Sequence, residues 1–228
     1  MTDTLKKILR LAIIFFLLMV IAFSGYKLYQ IFSDYHEVTV ANNEVREEYF
    51  SVSDDGLPHV DFDGLLAMNK QIVGWIYIPD TNVNFPVLRA DDNSRYLYAD
   101  YALRYSFAGS IFMDYRCSAD FSDQETMIYG HNMHNGDMFG RLKKFEDPDY
   151  LKAHEKVYIL LPGDEYLEYK ASVGEYISIN DDVYELPKKD GDPEILVLST
   201  CTDNSSDTTR FVLKCDYEGK NNSKKTDN

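Results

Sequence analysis

The sequence predicts a mainly β protein whose body is a closed or nearly closed barrel of eight strands. Two observations carry this. Short runs rich in β-branched and aromatic residues recur between turn-forming residues from Val73 to Cys215, with few stretches at helical spacing among them. Aromatic residues are plentiful, 18 Tyr and 13 Phe against one Trp, which suits a β-rich body with amphipathic rings near its surface. With 228 residues and 45% hydrophobic content the chain can bury one good core plus appendages. Its formal net charge of −15 argues against a nucleic-acid partner, because a phosphate backbone is bound by clustered Lys and Arg that this chain lacks.

Taken in order, the chain opens on a basic segment, Lys6, Lys7 and Arg10, followed by an uninterrupted apolar run from Leu11 to Phe23. The charge-free stretch, Leu11 to Tyr26, is shorter than the roughly 20 residues that span a bilayer comfortably, but Arg10 and Lys27 can snorkel to the two interfaces. The positive-inside rule then keeps the N-terminus in the cytoplasm and exports everything after Lys27. A retained anchor is the preferred reading. A cleaved signal peptide competes with it, since Ala22-Phe23-Ser24 has the small-x-small form of a cleavage site. The expected organisation is a cytoplasmic tail (1–10), a transmembrane anchor (11–28), an extracellular stalk or helix (29–62), a catalytic domain (63–218) and a disordered polar tail (219–228).

Within the body, Asp54-Asp55-Gly56 and Pro58 break the stalk. A helix fits Asp63 to Gln71, with Asp63 as cap and Leu65, Leu66 and Met68 facing a core. The strand candidates are 73–78, 83–88, 110–113, 126–129, 157–161, 166–179 with a break near Gly174, 195–200 and 210–215. Pro79-Asp80-Thr81-Asn82 turns the first pair. Asp137 to Lys144 and Asp147 to Ala153 are the expected helical insertions, the second opening on an Asp-Pro start signal.

Three residues distant in sequence invite a chemical reading. Cys201 ends the run Ile195-Leu196-Val197-Leu198-Ser199-Thr200, so a thiol sits where a strand stops and a loop begins, held rigidly yet within reach of a substrate. A Cys there is also often no more than a small buried hydrophobe. A nucleophilic thiol needs a base or cation to keep it as thiolate and a donor for the oxyanion. His131 ends the run Thr126 to Gly130 and so lies at another strand terminus, whereas His36, His59 and His154 fall in stalk, loop and solvated helix end, and His134 serves as a control. Arg210 starts the strand after Cys201; on an adjacent strand, about 4.8 Å away, its guanidinium stands beside the sulfur. Asp203 and Asp207 can orient His131 or pair with Arg210, or simply be solvated. Three Cys leave at least one unpaired, and Cys117 with Cys215 is a possible disulfide in an exported chain. No Cys/His spacing resembles a zinc pattern, so no metal or other cofactor is expected.

The segments Val73-Gly74-Trp75-Ile76, Asn84-Phe85-Pro86-Val87, Gly109-Ser110-Ile111-Phe112-Met113-Asp114, Ile128-Tyr129-Gly130-His131-Asn132-Met133 and Leu198-Ser199-Thr200-Cys201 with Arg210 resemble a sortase, most closely class B. The resemblance covers about Asp63 to Tyr217. It implies an eight-stranded sortase barrel with N-terminal helices, in a membrane-anchored cysteine transpeptidase of a Gram-positive bacterium. Cys201 would attack the Thr carbonyl of a C-terminal sorting signal of the Asn-Pro-x-Thr type, His131 would act as acid and base, and Arg210 would bind substrate and oxyanion. Asn93, Leu97 and Ser199 match positions lining the class B substrate groove. The implied partners are a sorting-signal peptide and an amine, from a peptidoglycan precursor or a pilin lysine. Class B members usually carry a long helix between the sixth and seventh strands, whereas here Asn180 to Glu194 is rich in loop formers. Outside the resemblance, a thiol hydrolase and a non-enzymatic envelope-binding module remain the alternatives.

Overall fold

The computed structural model describes residues 3–54, 56–201 and 208–222, with the backbone alone described for Cys201. It divides into two units, Met1–Ala41 and Asn42–Asn228. The first is the larger part of helix α1 (Asp3–Tyr49), on which the apolar side chains of Leu11 to Phe23 are exposed, and α1 has the length and composition of a membrane-crossing helix.

In the second unit, the last turns of α1 pack onto the body. Val45 is buried in a cluster with Val60, Phe62, Leu65, Trp75 and Leu88. Arg46 donates from Nε to the Asn84 carbonyl at 2.8 Å and lays its guanidinium over the Phe85 ring at 4.4 Å. The part of the expected stalk from Asn42 onward therefore belongs to the compact unit. The predicted break at 51–58 is a hairpin of β1 (Phe50–Val52) and β2 (Pro58–Val60), too short to show as a strand pattern. Helix α2 (Phe62–Met68) is capped by Asp61, whose carboxylate accepts from Gly64 N at 3.2 Å, not by Asp63, which sits in the first turn. Leu65 is fully buried as expected, but Met68 is exposed.

Eight strands close the barrel: β3 (Ile72–Tyr77), β4 (Asn84–Leu88), β5 (Ile111–Met113), β6 (Glu125–Gly130), β7 (Lys156–Leu161), β8 (Glu165–Ser178), β9 (Ile195–Cys201) and β10 (Thr209–Asn222). Their order around it is β10-β8-β7-β3-β4-β5-β6-β9, with β9 pairing back onto β10. The β4–β5 and β6–β9 pairs are parallel and the other neighbours antiparallel. Both faces of the sheet are covered: the neighbours Trp75 and Ile76, which point to opposite sides, are fully buried, as are Met127 and Ile128.

Three insertions and edges differ from expectation. Asp137 to Lys144 is not helical: Met138 has φ of +51°, and the Asn82 side chain donates to the Gly136 and Met138 carbonyls, so only Leu142–Glu146 forms a 3-10 turn. The second insertion, α3 (Pro148–Ala153), starts as predicted, with Asp147 accepting from Asp149 N and Tyr150 N. Strand β8 runs through Gly174 unbroken, its irregularity falling at Ser172, which is skipped between the Val173–Lys214 and Ala171–Cys215 pairs. Strand β10 continues past Gly219 to Asn222, which pairs with Glu165, while residues 223–228 of the expected disordered tail lie outside the described residues.

Gly174 has a packing reason: a Cβ there would overlap the backbone of Phe145, which closes over β8. We therefore expect Gly174→Ala to cost about 1–3 kcal/mol, the usual penalty for overfilling a packed site. The check is a lower urea midpoint at unchanged slope.

Candidate active site

Strands β6, β9 and β10 are consecutive in the barrel and all reach one end. Gly130 on β6 pairs with Thr200 on β9, and Cys201, the next residue of β9, pairs with Arg210 on β10. His131 directly follows Gly130. Backbone pairing alone thus brings residues 131, 201 and 210 to the ends of three neighbouring strands, each about 4.8 Å from the next. Beside them opens a cleft of about 380 Å³ whose lining includes His131, Arg210 and all three predicted groove residues, Asn93, Leu97 and Ser199. The Cys201 side chain, Asp203 and Asp207 lie outside the described residues.

His131 is held by its own cleft wall. Its Nε2 stands 2.9 Å from the Leu97 carbonyl oxygen. A carbonyl only accepts, so Nε2 carries a proton, and Nδ1 is the ring nitrogen left for exchange. Leu97 ends a 3-10 turn (Arg95–Leu97) that Asp92 nucleates by accepting from Ser94 N and Arg95 N. Gly109, at φ of +58°, lets the chain pass so close under the Tyr96 and Leu97 carbonyls that any Cβ would collide with them. Leu97 therefore lines the groove with its side chain and orients the imidazole with its backbone.

Arg210 donates from Nη1 to the Thr209 carbonyl at 2.8 Å. It lines the cleft, and among the described residues no carboxylate forms an ion pair with it. The other histidines stand apart. His134 is exposed, His59 approaches Asp164, and His154 is stacked on Tyr150 at 4.1 Å rather than solvated.

The part of the site that sequence reading missed is its floor. Asp114, just past β5, is completely buried and accepts five hydrogen bonds: two from the Arg116 guanidinium at 2.8 Å each, one from Arg116 N at 2.9 Å, one from Asn93 Nδ2 at 2.8 Å and one from the Tyr129 hydroxyl at 3.0 Å. Burial pushes this carboxyl up, but the bonds from Arg116 and Asn93 outweigh it and leave the group below the ordinary carboxylate value. Burial and the Asp114 charge push the Tyr129 phenol far up, so it stays a donor. Asn93, Arg116 and Tyr129 all line the cleft, as does Tyr184, whose hydroxyl lies 2.9 Å from Ser199 Oγ. A carboxylate directly after an apolar strand with Arg two residues on was the available signal.

Cys117 and Cys215 do not pair. Both are free and fully buried, and burial pushes the Cys117 thiol up to about 11 and the Cys215 thiol higher still. Among the described residues, no group of three or more His, Cys, Asp or Glu stands together to hold a metal ion.

Fold and site together define a class. The sortase domain model matches residues 76–218, and the chain belongs to the sortase family. Its relatives place it in class B. It is 37% identical to a sortase B of Listeria monocytogenes over 59% of this chain, an alignment that takes in 56% of that protein, just over half its length. It is 28% identical to a sortase B of Staphylococcus aureus over 92% of this chain and 96% of that one. A crystal structure of sortase B from Bacillus anthracis superposes with a TM-score of 0.64 at 29% identity, covering 82% of this chain and 98% of the other.

The buried pair makes a stability prediction. Asp114→Ala strips the donors of Asn93, Tyr129 and a part-exposed Arg116 of their acceptor and should cost about 1–3 kcal/mol in denaturant unfolding. Because the folded carboxyl lies below its unfolded value of about 3.9, its contribution is fully present above that pH and is lost as pH falls through the lower folded value. Asp114→Asn should accordingly flatten the acid limb of stability against pH. Thiol chemistry gives a second prediction: iodoacetamide should label Cys201 in the native protein and reach Cys117 and Cys215 only after denaturation, as read by peptide mapping.

Proposed function

We propose that the protein is a membrane-anchored cysteine transpeptidase, exported as a single-pass protein with its N-terminus in the cytoplasm, that cleaves a sorting signal of the Asn-Pro-x-Thr type and passes the surface protein to an amine of a cell wall precursor. The observation that carries this reading is the meeting of the β6, β9 and β10 ends at one cleft lined by His131 and Arg210. Family membership and the exposed apolar face of α1 support it.

In the proposed reaction the Cys201 thiol gives its proton to His131 Nδ1, and the thiolate attacks the Thr carbonyl, whose π electrons move onto oxygen. Arg210, with donors to spare, stabilises that oxyanion. Collapse breaks the C–N bond after Thr and leaves a thioester, and the departing amine takes a proton from His131. An incoming amine then gives a proton back to His131, attacks the thioester and releases the thiolate, so no proton is gained or lost over the cycle. Since Nε2 is engaged with Leu97, Nδ1 is the nitrogen that exchanges protons. Asn93, Leu97 and Ser199 bind the peptide along the cleft.

The test is product analysis with a fluorogenic Asn-Pro-x-Thr peptide and graded amine. Transpeptidation product should grow with amine at the expense of hydrolysis. His131→Ala should lower turnover by roughly 10²–10⁴-fold and Arg210→Ala by about 10²–10³-fold, with the fold retained by circular dichroism. Hydrolysis alone at every amine concentration would make the protein a thiol peptidase.

A further inference from the structure

The connection from β8 to β9 is the cleft wall that class B members usually build as a long helix. In this chain its only helix is the three-residue turn Asp182–Tyr184, and its own backbone bonds are few and local. Its fixed points come from the barrel. Val183 is buried. The Tyr184 hydroxyl meets Ser199 Oγ at 2.9 Å, and Lys188 Nζ pairs with the nearly buried Glu125 at 2.8 Å. Between these two ties, Arg116 Nη1 donates to the Tyr184 and Leu186 carbonyls, both at 3.4 Å.

Arg116 reaches that far because its opposite edge is spent on Asp114, with Nε on one carboxylate oxygen and Nη2 on the other. The same carboxylate fixes the Asn93 amide on the facing side of the cleft. Asn93 in turn uses its carbonyl oxygen to accept from Tyr115 N at 3.0 Å, so both ends of its amide are committed. One buried charge therefore ties Asn93 to the wall bearing Tyr184. A planar guanidinium is required for this: an ammonium is a point charge and cannot hold a carboxylate in a fork while donating in plane to the far side.

We infer that Asp114 and Arg116 are the positioning residues of the peptide groove, setting its width by linking Asn93 to the Tyr184–Leu186 wall. They act on peptide binding, not on the sulfur. This rests on the transpeptidase reading for the identity of the peptide, but the wall assignment itself does not.

The experiment compares full-length wild type, Arg116→Gln, Arg116→Lys and Tyr184→Phe in detergent. Amide hydrogen exchange should accelerate over residues 182–188 in both Arg116 variants while β9 and β10 stay protected. With the Asn-Pro-x-Thr peptide, KM should rise on the order of tenfold, the factor for about 1.4 kcal/mol of lost binding, with kcat within about twofold. Arg116→Lys should fail to rescue, and Tyr184→Phe should give a smaller rise of the same kind. Unchanged exchange over 182–188, or a fall in kcat with KM unaltered, overturns the assignment. Faster exchange alongside a wild type that never turns over peptide supports the wall and overturns the transpeptidase reading instead.

Discussion

The parallel pairing of β6 with β9 and the antiparallel pairing of β9 with β10 bring the three proposed catalytic positions to one end of the barrel. Side chains alternate with a period of two, so a one-residue slip of β9 against either neighbour would exchange the side chains on its two packed faces. Leu196 and Leu198 are fully buried on that strand, and Phe211 and Leu213 on β10. Val197 and Val212 are fully buried on the opposite face, so both sides of these strands are packed, and their register pairs Cys201 with Arg210 and Thr200 with Gly130. Core energetics and site geometry are here a single constraint.

Around that constraint the fold adds polar parts that cost solvation and return precision. Burying Asp114 is expensive on its own, and replacing such a pair by apolar residues is often neutral or better for stability. Five donors converge on it, all from three residues that line the cleft, Asn93, Arg116 and Tyr129, so its net value lies in fixing those donors rather than in holding the barrel together. The Leu97 carbonyl does the same for His131 without a charge, choosing the tautomer by being unable to donate.

The proposed catalytic positions could be picked out because each is a polar residue at the start or end of an apolar run, a pattern that survives without coordinates. The eight barrel strands were legible for the same reason, their β-branched and aromatic runs being punctuated by turn residues. What stayed hidden depended on contacts across the fold. The β1–β2 hairpin has three-residue strands, too short for a period to register. The expected helix at Asp137 fails because Asn82, far away in sequence, captures its carbonyls. Asp114 was read only as part of a motif, since nothing in Ile111-Phe112-Met113-Asp114 says that Asn93, Arg116 and Tyr129 will meet on it. That Cys117 and Cys215 are buried free thiols likewise could not be told from pairing.

The claim at the centre is that the thiol ending β9 is the acyl-accepting nucleophile, served by the imidazole and guanidinium of its neighbouring strands. Tandem mass spectrometry of the full chain, quenched with acid after mixing with an Asn-Pro-x-Thr peptide in the absence of amine, tests it most directly. An adduct with the mass of the peptide up to Thr, mapped to Cys201 and lost on adding hydroxylamine, is the predicted result. No adduct in a folded protein that cleaves the peptide, or an acyl group mapped to any other residue, would contradict the account.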